Sequence, residues 1–331
     1  MKAITFTDFG DADVLRLDDV PDPELRPHDL LLRNHAAGVN RADLIQRRGD
    51  YGRPNYGDSE IMGLEVAGEV IAVGDEVQGF RPGDRVMGIV GGGGYAELAR
   101  IDYRMAMRIP EALDYQAAAA IPEVFVTAHE ALLHLGRLQA GDSVLIHAAA
   151  SGVGSAAVQL AAASGAKVFA TANASKLEPV RQLGADVLID YGQEDFEAVV
   201  AQTTGGRGVD VIVDFIGVPY FERNVRSLAD GGRLVQVGLL GGADPAVIPL
   251  ERLLYGHLQI LGTVMKSRSP EAKQAMVRRF SDSWLGRFTE RGLAPVIDIV
   301  FPLARAADAH RRMESNENVG KIVLAVTDNG A

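Results

Sequence analysis

The stretch from Asp142 to Leu160, Asp-Ser-Val-Leu-Ile-His-Ala-Ala-Ala-Ser-Gly-Val-Gly-Ser-Ala-Ala-Val-Gln-Leu, constrains the fold of this chain more than any other. Val144 to His147 is a short apolar run bounded by Gly141-Asp142 and by small residues, as in a strand buried on both faces of a parallel sheet. From Val153 onward apolar residues recur at helical spacing in an Ala-rich segment, and Ala is the best helix former. Between the two lies the run Ala148 to Gly154. Its small side chains let a backbone approach a pyrophosphate, and Gly152 and Gly154 permit a tight turn and close helix–strand packing. The free N–H groups and positive end of the helix then face the phosphates. The pattern predicts the phosphate-binding turn of a dinucleotide-binding βαβ unit, with Ser151, Gly152, Val153 and Gly154 in contact with the cofactor. The usual G-x-G-x-x-G is here A-x-x-S-x-x-G, so this segment alone also fits a small-residue turn in an Ala-rich helical hairpin.

The segments that follow decide between the two. Strand patterns occur at 167–172, 185–190, 209–215, 232–238 and 258–262, and helical patterns fill 174–184, 193–203 and 219–229. Alternation of this kind predicts an α/β fold with a doubly wound parallel sheet.

NAD enzymes of this type carry an acidic residue about 20 positions after the glycines, on the ribose 2′-hydroxyl. No Asp or Glu occurs from Ser155 to Leu177, and Lys176 stands where a 2′-phosphate would lie. That favours NADPH, because a lysine–phosphate contact is a charge-assisted hydrogen bond of about 1.5–3 kcal/mol. The alternative is an ordinary solvated lysine at a helix start.

Composition narrows the classes. The chain of 331 residues has 33 Lys and Arg against 44 Asp and Glu, a net charge of −11, so neither nucleic acid nor an anionic membrane is an expected partner. The first residues lack the apolar core of a signal peptide, and the expected location is cytoplasmic. Ser143 to Ala166 carries no formal charge, yet the Ser151-Gly152 turn divides it into strand and helix, and it reads as buried rather than membrane-spanning. The absence of cysteine excludes disulfides, thiolate metal sites and cysteine nucleophiles. His129 and His134 are five apart, not four, so on a helix they point about 140° from one another and do not form a metal pair. There is no G-x-S-x-G nucleophile elbow.

Residues 1–110 have a different texture. Short strand patterns in Met1–Leu17, at 29–33, 65–74 and 83–88, with Gly-Asp turns and the glycine loop Gly91–Gly94, suggest a compact barrel-like domain. Helices are expected at 41–48 and 114–135. The tail is expected to hold helices near 271–287 and 304–314, a strand at 296–300 and a last strand, Gly320–Val326, that needs a sheet to join.

Together these motifs resemble the medium-chain dehydrogenase/reductase superfamily, in its zinc-free quinone oxidoreductase branch. The landmarks are Val39-Asn-Arg-Ala-Asp43, Met62-Gly-Leu-Glu-Val-Ala-Gly68, Pro82-Gly-Asp-Arg-Val86, Ala119-Ala-Ile-Pro-Glu123, Thr127-Ala128, the 141–154 turn and Asn318-Val-Gly-Lys-Ile-Val-Leu324, and they span the whole chain. The alcohol dehydrogenases of the superfamily hold a catalytic zinc through a Cys and a His. Here Asn40 lies in the region of the Cys and Leu64 replaces the His, so no metal is expected. The resemblance implies a GroES-like β-rich catalytic domain formed by 1–122 and 265–331, with a Rossmann NADPH-binding domain at 123–264 inserted between. It implies an active cleft in which Asn40 and Tyr51 face nicotinamide and acceptor, Thr127 contacts the nicotinamide, and Phe125 lines the substrate pocket. Lys176 and Tyr191 would hold the 2′-phosphate, and Gly217, Gly238, Met265 and Asn318 would line the cofactor. Read from sequence alone, Asn40 also fits a helix cap, Tyr51 a half-buried loop aromatic and Thr127 a plain helix residue. Asp43 and Glu65 are acidic candidates to which structural roles are assigned.

The activity so implied is reduction of quinones by direct hydride transfer from NADPH, without metal or flavin. An enoyl or enone reductase is a second reading, although no obvious basic cluster for an acyl carrier accompanies the site. A non-catalytic NADPH- or RNA-binding protein is a third. The resemblance also implies a homodimer, joined through edge strands near 258–262.

Overall fold

The computed structural model describes residues 1–50, 59–288 and 292–326. The chain divides into two compact units, Met1–Glu123 together with the chain from Lys273 onward, and Val124–Ala272.

The first unit begins with an antiparallel ribbon of β1 (Lys2–Thr5) and β2 (Arg16–Asp19). Next come β3 (Asp29–Val39), α1 (Arg41–Arg48), β4 (Glu65–Val73), β5 (Arg85–Ile89), β6 (Leu98–Asp102) and β7 (Ala106–Arg108). The expected 114–135 helix is broken. It consists of α2 (Tyr115–Ala119), α3 (Pro122–His129) and a π-helical turn over Glu130–Leu135. Pro122 opens α3 because proline lacks the N–H that would continue an earlier helix and has a φ suited to a first turn.

The second unit alternates as the pattern requires. It runs β8 (Ser143–Ile146), α4 (Gly152–Ala163), β9 (Lys167–Ala172), α5 (Leu177–Gln182), β10 (Val187–Asp190), α6 (Phe196–Thr203), β11 (Val209–Asp214), α7 (Val218–Ser227), β12 (Leu228–Gln236), α8 (Leu250–Tyr255) and β13 (Gln259–Gly262). All six strands are parallel, in the order β10-β9-β8-β11-β12-β13. Strand order reverses between β8 and β11, which marks the switch point where open α/β sheets bind ligands beyond their carboxyl ends. Leu145, Phe169, Ile212 and Leu234 from successive strands pack with Phe196, Val200 and Val225 from the helices into one core.

The tail returns to the first unit through α9 (Pro270–Trp284), β14 (Ile297–Pro302), α10 (Ala306–Glu314) and β15 (Lys321–Ala325). β15 runs antiparallel to β3, with Ile322 opposite Val39, and parallel to β14. The resulting sheet has the order β14-β15-β3-β4-β5-β7, with β6 also on β3. Its core joins Val39, Leu44, Met62 and Tyr95 to Phe301, Met313 and Leu324. The last strand thus finds its sheet in the opening third of the chain.

Candidate active site

In the second unit the turn after β8 is built around Ser151, the N-cap of α4. Its Oγ accepts the Gly154 N–H at 3.0 Å, as a serine cap does. The N–H groups of Gly152 and Val153 fall in the first helical turn, which has no intrahelical acceptors. Ala148, where the usual fingerprint has its first glycine, adopts a left-handed φ of 48°. That conformation costs an L-residue roughly 1–2 kcal/mol and keeps the chain turning as glycine would. Gly154 cannot be replaced so simply. A Cβ there would stand 2.2 Å from Ala148 O and 2.8 Å from Ala149 Cα, so the helix approaches the strand end because this residue has no side chain.

At the neighbouring strand ends, Asn173 caps a 3₁₀ turn, its Oδ1 accepting Ser175 N at 3.2 Å, and Lys176 follows at the head of α5. Tyr191 lies just past β10, half exposed, with its N–H on Ala172 O at 3.3 Å. Lys176 and Tyr191 are thereby brought to the carboxyl ends of the adjacent strands β9 and β10. The nearby Asp190 carboxylate is engaged locally, accepting Gly192 N at 3.0 Å.

Gly217 sits at a φ of 90° before α7, and the Asp214 carboxylate accepts the N–H groups of Ile216 at 2.7 Å and Gly217 at 3.1 Å. Asn224 Nδ2 donates to Asp214 at 3.1 Å, and the Asn224 Oδ1 is 2.7 Å from His147 Nε2. His147 Nδ1 is 3.1 Å from Thr171 Oγ1. One buried network therefore ties the ends of β8, β9 and β11 to α7 and fixes the Gly217 turn. Burial lowers the pKa of His147 and favours a neutral imidazole. Gly238 lines an open groove of about 560 Å³ at the ends of β12 and β13, beside Gln236, Thr263 and Arg268. Met265 is buried just after it. On α3, Phe125 is wholly buried and Thr127 partly so.

In the first unit Asn40 occupies the N-cap position of α1, and its amide also bonds side chains outside the helix. Asn40 Nδ2 donates to Glu65 Oε1 at 2.8 Å, and Asn40 Oδ1 accepts from Lys321 Nζ at 2.8 Å. Lys321 also pairs with Glu65 and donates to Val39 O at 2.8 Å. The other Glu65 oxygen accepts Glu123 N at 2.9 Å. Gly38 makes room for this carboxylate, since a Cβ there would lie 2.2 Å from Glu65 Oε1. Asp43 closes the helix start, its Oδ2 accepting Asn40 N at 2.7 Å and the Tyr95 hydroxyl at 2.9 Å. Behind it stand His310, with Nε2 3.3 Å from the Tyr95 hydroxyl, and Arg47, paired with Glu314. Burial raises the Asp43 pKa to about 7, opposed by the Asn40 and Tyr95 donors. Burial, helped by Arg47, lowers that of His310 to about 3. Asn318 is buried, with Nδ2 on Gly320 O at 3.0 Å. Tyr51 lies outside the described residues. Leu64 is buried and apolar, and among the described residues no group of three His, Cys, Asp or Glu is placed to hold a metal ion.

Reading the sequence alone missed Lys321, Glu123, Tyr95, His310 and Asn224. One signal was available: a lysine inside the apolar strand Lys321–Ala325 has to find a buried partner.

The comparisons with known proteins agree with this architecture. Residues 26–111 match the alcohol dehydrogenase GroES-like domain, and residues 152–282 match the zinc-binding dehydrogenase domain. The rat quinone oxidoreductase is 33% identical over 328 residues, covering 98% of this chain and 97% of that protein. The crystal structure of Escherichia coli quinone oxidoreductase complexed with NADPH superposes with a TM-score of 0.88 at 28% identity, covering 98% of this chain and 100% of that one. The CurK enoyl reductase superposes with a TM-score of 0.85 at 26% identity, covering 98% and 99%.

Proposed function

Because the chain belongs to the medium-chain dehydrogenase/reductase superfamily, with quinone oxidoreductases among its full-length relatives, we propose that it is an NADPH-dependent quinone reductase that works without metal or flavin. The observation that carries the reading is the α4 turn with Lys176 and Tyr191 at the adjoining strand ends, in a chain related over its whole length to quinone oxidoreductases. Residues 123–264 form the cofactor domain in this reading.

The residues present fit NADPH. Ser151, Gly152, Val153 and Gly154 offer N–H groups and a positive helix end to the pyrophosphate. Lys176 and Tyr191 hold the 2′-phosphate, and Thr127, Gly217, Gly238, Met265 and Asn318 line the rest. When bound, NADPH supplies the hydride. Phe125 lines the acceptor pocket, and Asn40 and Tyr51 contact the acceptor. Glu65 takes one of the two Asn40 amide hydrogens. The other makes a long 3.4 Å hydrogen bond to Gly38 O, and in this reading it turns to an acceptor oxygen on which charge develops. The main contribution of the protein is positioning and exclusion of water.

Reduction of an enoyl or enone substrate is the second reading, favoured by the likeness to CurK enoyl reductase. Among the described residues no helix is long and apolar enough to cross a membrane, and the proposed location is cytoplasmic. The proposed partner is a second copy of this chain.

The test follows nicotinamide absorbance with NADPH and NADH in parallel, against a panel of small quinones and one enoyl-thioester. Oxidation of NADPH by quinones supports the reading. Turnover of the enoyl-thioester alone moves the protein to the enoyl reductases, and binding of NADPH without turnover of either leaves a binding protein.

A further inference from the structure

Glu65 distributes its two carboxylate oxygens between Asn40 and the start of α3. One accepts the Asn40 amide and the Lys321 ammonium, the other the backbone N–H of Glu123. Three acidic residues therefore converge here, and they differ in what remains free. Glu65 is completely buried and both its oxygens are engaged. Asp43 is completely buried; one oxygen holds Asn40 N and the Tyr95 hydroxyl, and the other has no hydrogen-bond partner but is sealed from solvent. Glu123 is only partly buried, and among the described residues its carboxyl group accepts no hydrogen bond and forms no ion pair. It is thus the one acid of the three that is open to water. It also precedes Thr127 by four residues on α3, and residues so spaced share a helix face.

We propose that Glu123 is the general acid that protonates the reduced acceptor. This rests on the NADPH–quinone reading. Hydride transfer from a bound dihydronicotinamide would carry two electrons and one proton to the quinone and leave a hydroquinone monoanion. The O–H bond of the Glu123 carboxylic acid then breaks as its proton passes to the anionic oxygen. The Glu123 carboxylate takes a proton back from water, so one NADPH, one quinone and one proton give NADP⁺ and hydroquinone.

The surroundings favour a protonated carboxyl group at neutral pH. The charged groups acting on Glu123 are Glu65 on β4, Asp43 on α1, Lys321 on β15 and Lys273 on α9. Burial first, then the Glu65 and Asp43 charges, raise its pKa to about 8 against the two lysines. A general acid is most effective when its pKa lies near the working pH.

The experiment compares wild type, Glu123→Gln and Glu123→Asp. With quinone and NADPH, wild-type kcat/KM should fall as pH rises through about 8. Glu123→Gln should lower kcat at pH 7 by at least about tenfold, leave KM for NADPH unchanged and abolish the alkaline limb. Glu123→Asp, which keeps an acid one methylene farther back, should retain the limb at reduced rate. A second readout needs no turnover. In difference infrared spectra of the cofactor-free protein, a carboxylic-acid C=O band should titrate near pH 8 in wild type and be missing from Glu123→Gln. Wild type that turns over quinone, with a Glu123→Gln variant of unchanged rate and unchanged limb, overturns this role alone. Wild type that fails to reduce any quinone overturns the reading beneath it, and this role with it.

Discussion

Lys321, on the last strand, donates a 2.8 Å hydrogen bond to the amide oxygen of Asn40, 281 residues earlier. The same ammonium pairs with Glu65, whose carboxylate accepts the Asn40 amide nitrogen. The Asn40 amide is therefore oriented at both ends, oxygen toward the cation and nitrogen toward the anion. This closed triangle stands at the start of α1, where the Asp43 carboxylate accepts the Asn40 N–H.

The triangle predicts an asymmetry in stability. Lys321→Met leaves the Glu65 carboxylate buried without its cation, a loss of about 3–5 kcal/mol. Adding Glu65→Gln removes the orphaned charge, and the double variant should regain at least about 1 kcal/mol of that loss. Urea unfolding of wild type, the single and the double variant measures both quantities. A double variant no more stable than Lys321→Met would show that the charge on Glu65 costs nothing in this setting.

A second prediction concerns pH, because the Tyr95 hydroxyl lies between two groups with opposite slopes. Asp43 is raised from 3.8 to about 7, so the folded state holds a proton that the unfolded chain has released between those values. Its contribution to stability is complete below about pH 4 and is lost as pH rises toward 7. His310 is lowered from 6.5 to about 3, so the unfolded chain binds the extra proton. Its contribution is present above pH 6.5 and is lost as pH falls toward 3. From about pH 4 to 6.5 the two offset each other. Asp43→Asn should therefore gain stability relative to wild type as pH rises through this window, and His310→Gln should lose it, each by on the order of 1 kcal/mol per pH unit. Denaturant midpoints at several pH values test the signs, and parallel curves for all three proteins would refute the coupling.

The turn at 148–154 was legible because everything it needs is local: a short apolar strand, a serine cap and a glycine that only a close helix tolerates. Helix α1 at 41–48 and the alternation that builds the parallel sheet were legible for the same reason. The Asn40 triangle was not, because its members come from β15, β4 and the start of α1, and only the folded sheet brings them together. In the motif Asn318-Val-Gly-Lys321 the lysine reaches Glu65, a contact that its place in the motif does not announce. β6 and β7, with five and three residues, are too short for a period to emerge. α8 was missed because no residue in it is buried, so no core-facing stripe marks it. The break of the 114–135 helix was foreshadowed by Pro122, whose consequence depends on how the chain packs on either side.

The cofactor preference makes a third prediction. If Lys176 faces a 2′-phosphate, Lys176→Glu replaces attraction by repulsion for NADPH and leaves NADH nearly untouched. KM for NADPH should rise at least about tenfold, equivalent to about 1.4 kcal/mol, with a much smaller change for NADH. Steady-state kinetics with both nucleotides and one quinone decide it. Equal effects on the two would remove Lys176 from the phosphate site.

The last prediction concerns self-association. β13 ends the parallel sheet, and among the described residues no strand pairs with its outer edge. Just before it, Leu250, Leu254 and Tyr255 of α8 are 69%, 67% and 72% exposed, which is unusual for three large apolar side chains on one short helix. Open strand edges invite pairing and contiguous apolar surface marks an interface, and both lie here within about ten residues of one another in the sequence. The proposed second copy of the chain is expected to cover this region. Leu254→Glu together with Tyr255→Glu puts two carboxylates where the contact would be dry. Because both side chains are exposed within one chain, the fold should survive. Sedimentation equilibrium should then report a dimer for wild type and a monomer for the variant, with the circular dichroism spectrum unchanged. A wild-type monomer at micromolar concentration would rule out the interface, and a variant that stayed dimeric would move it to another face.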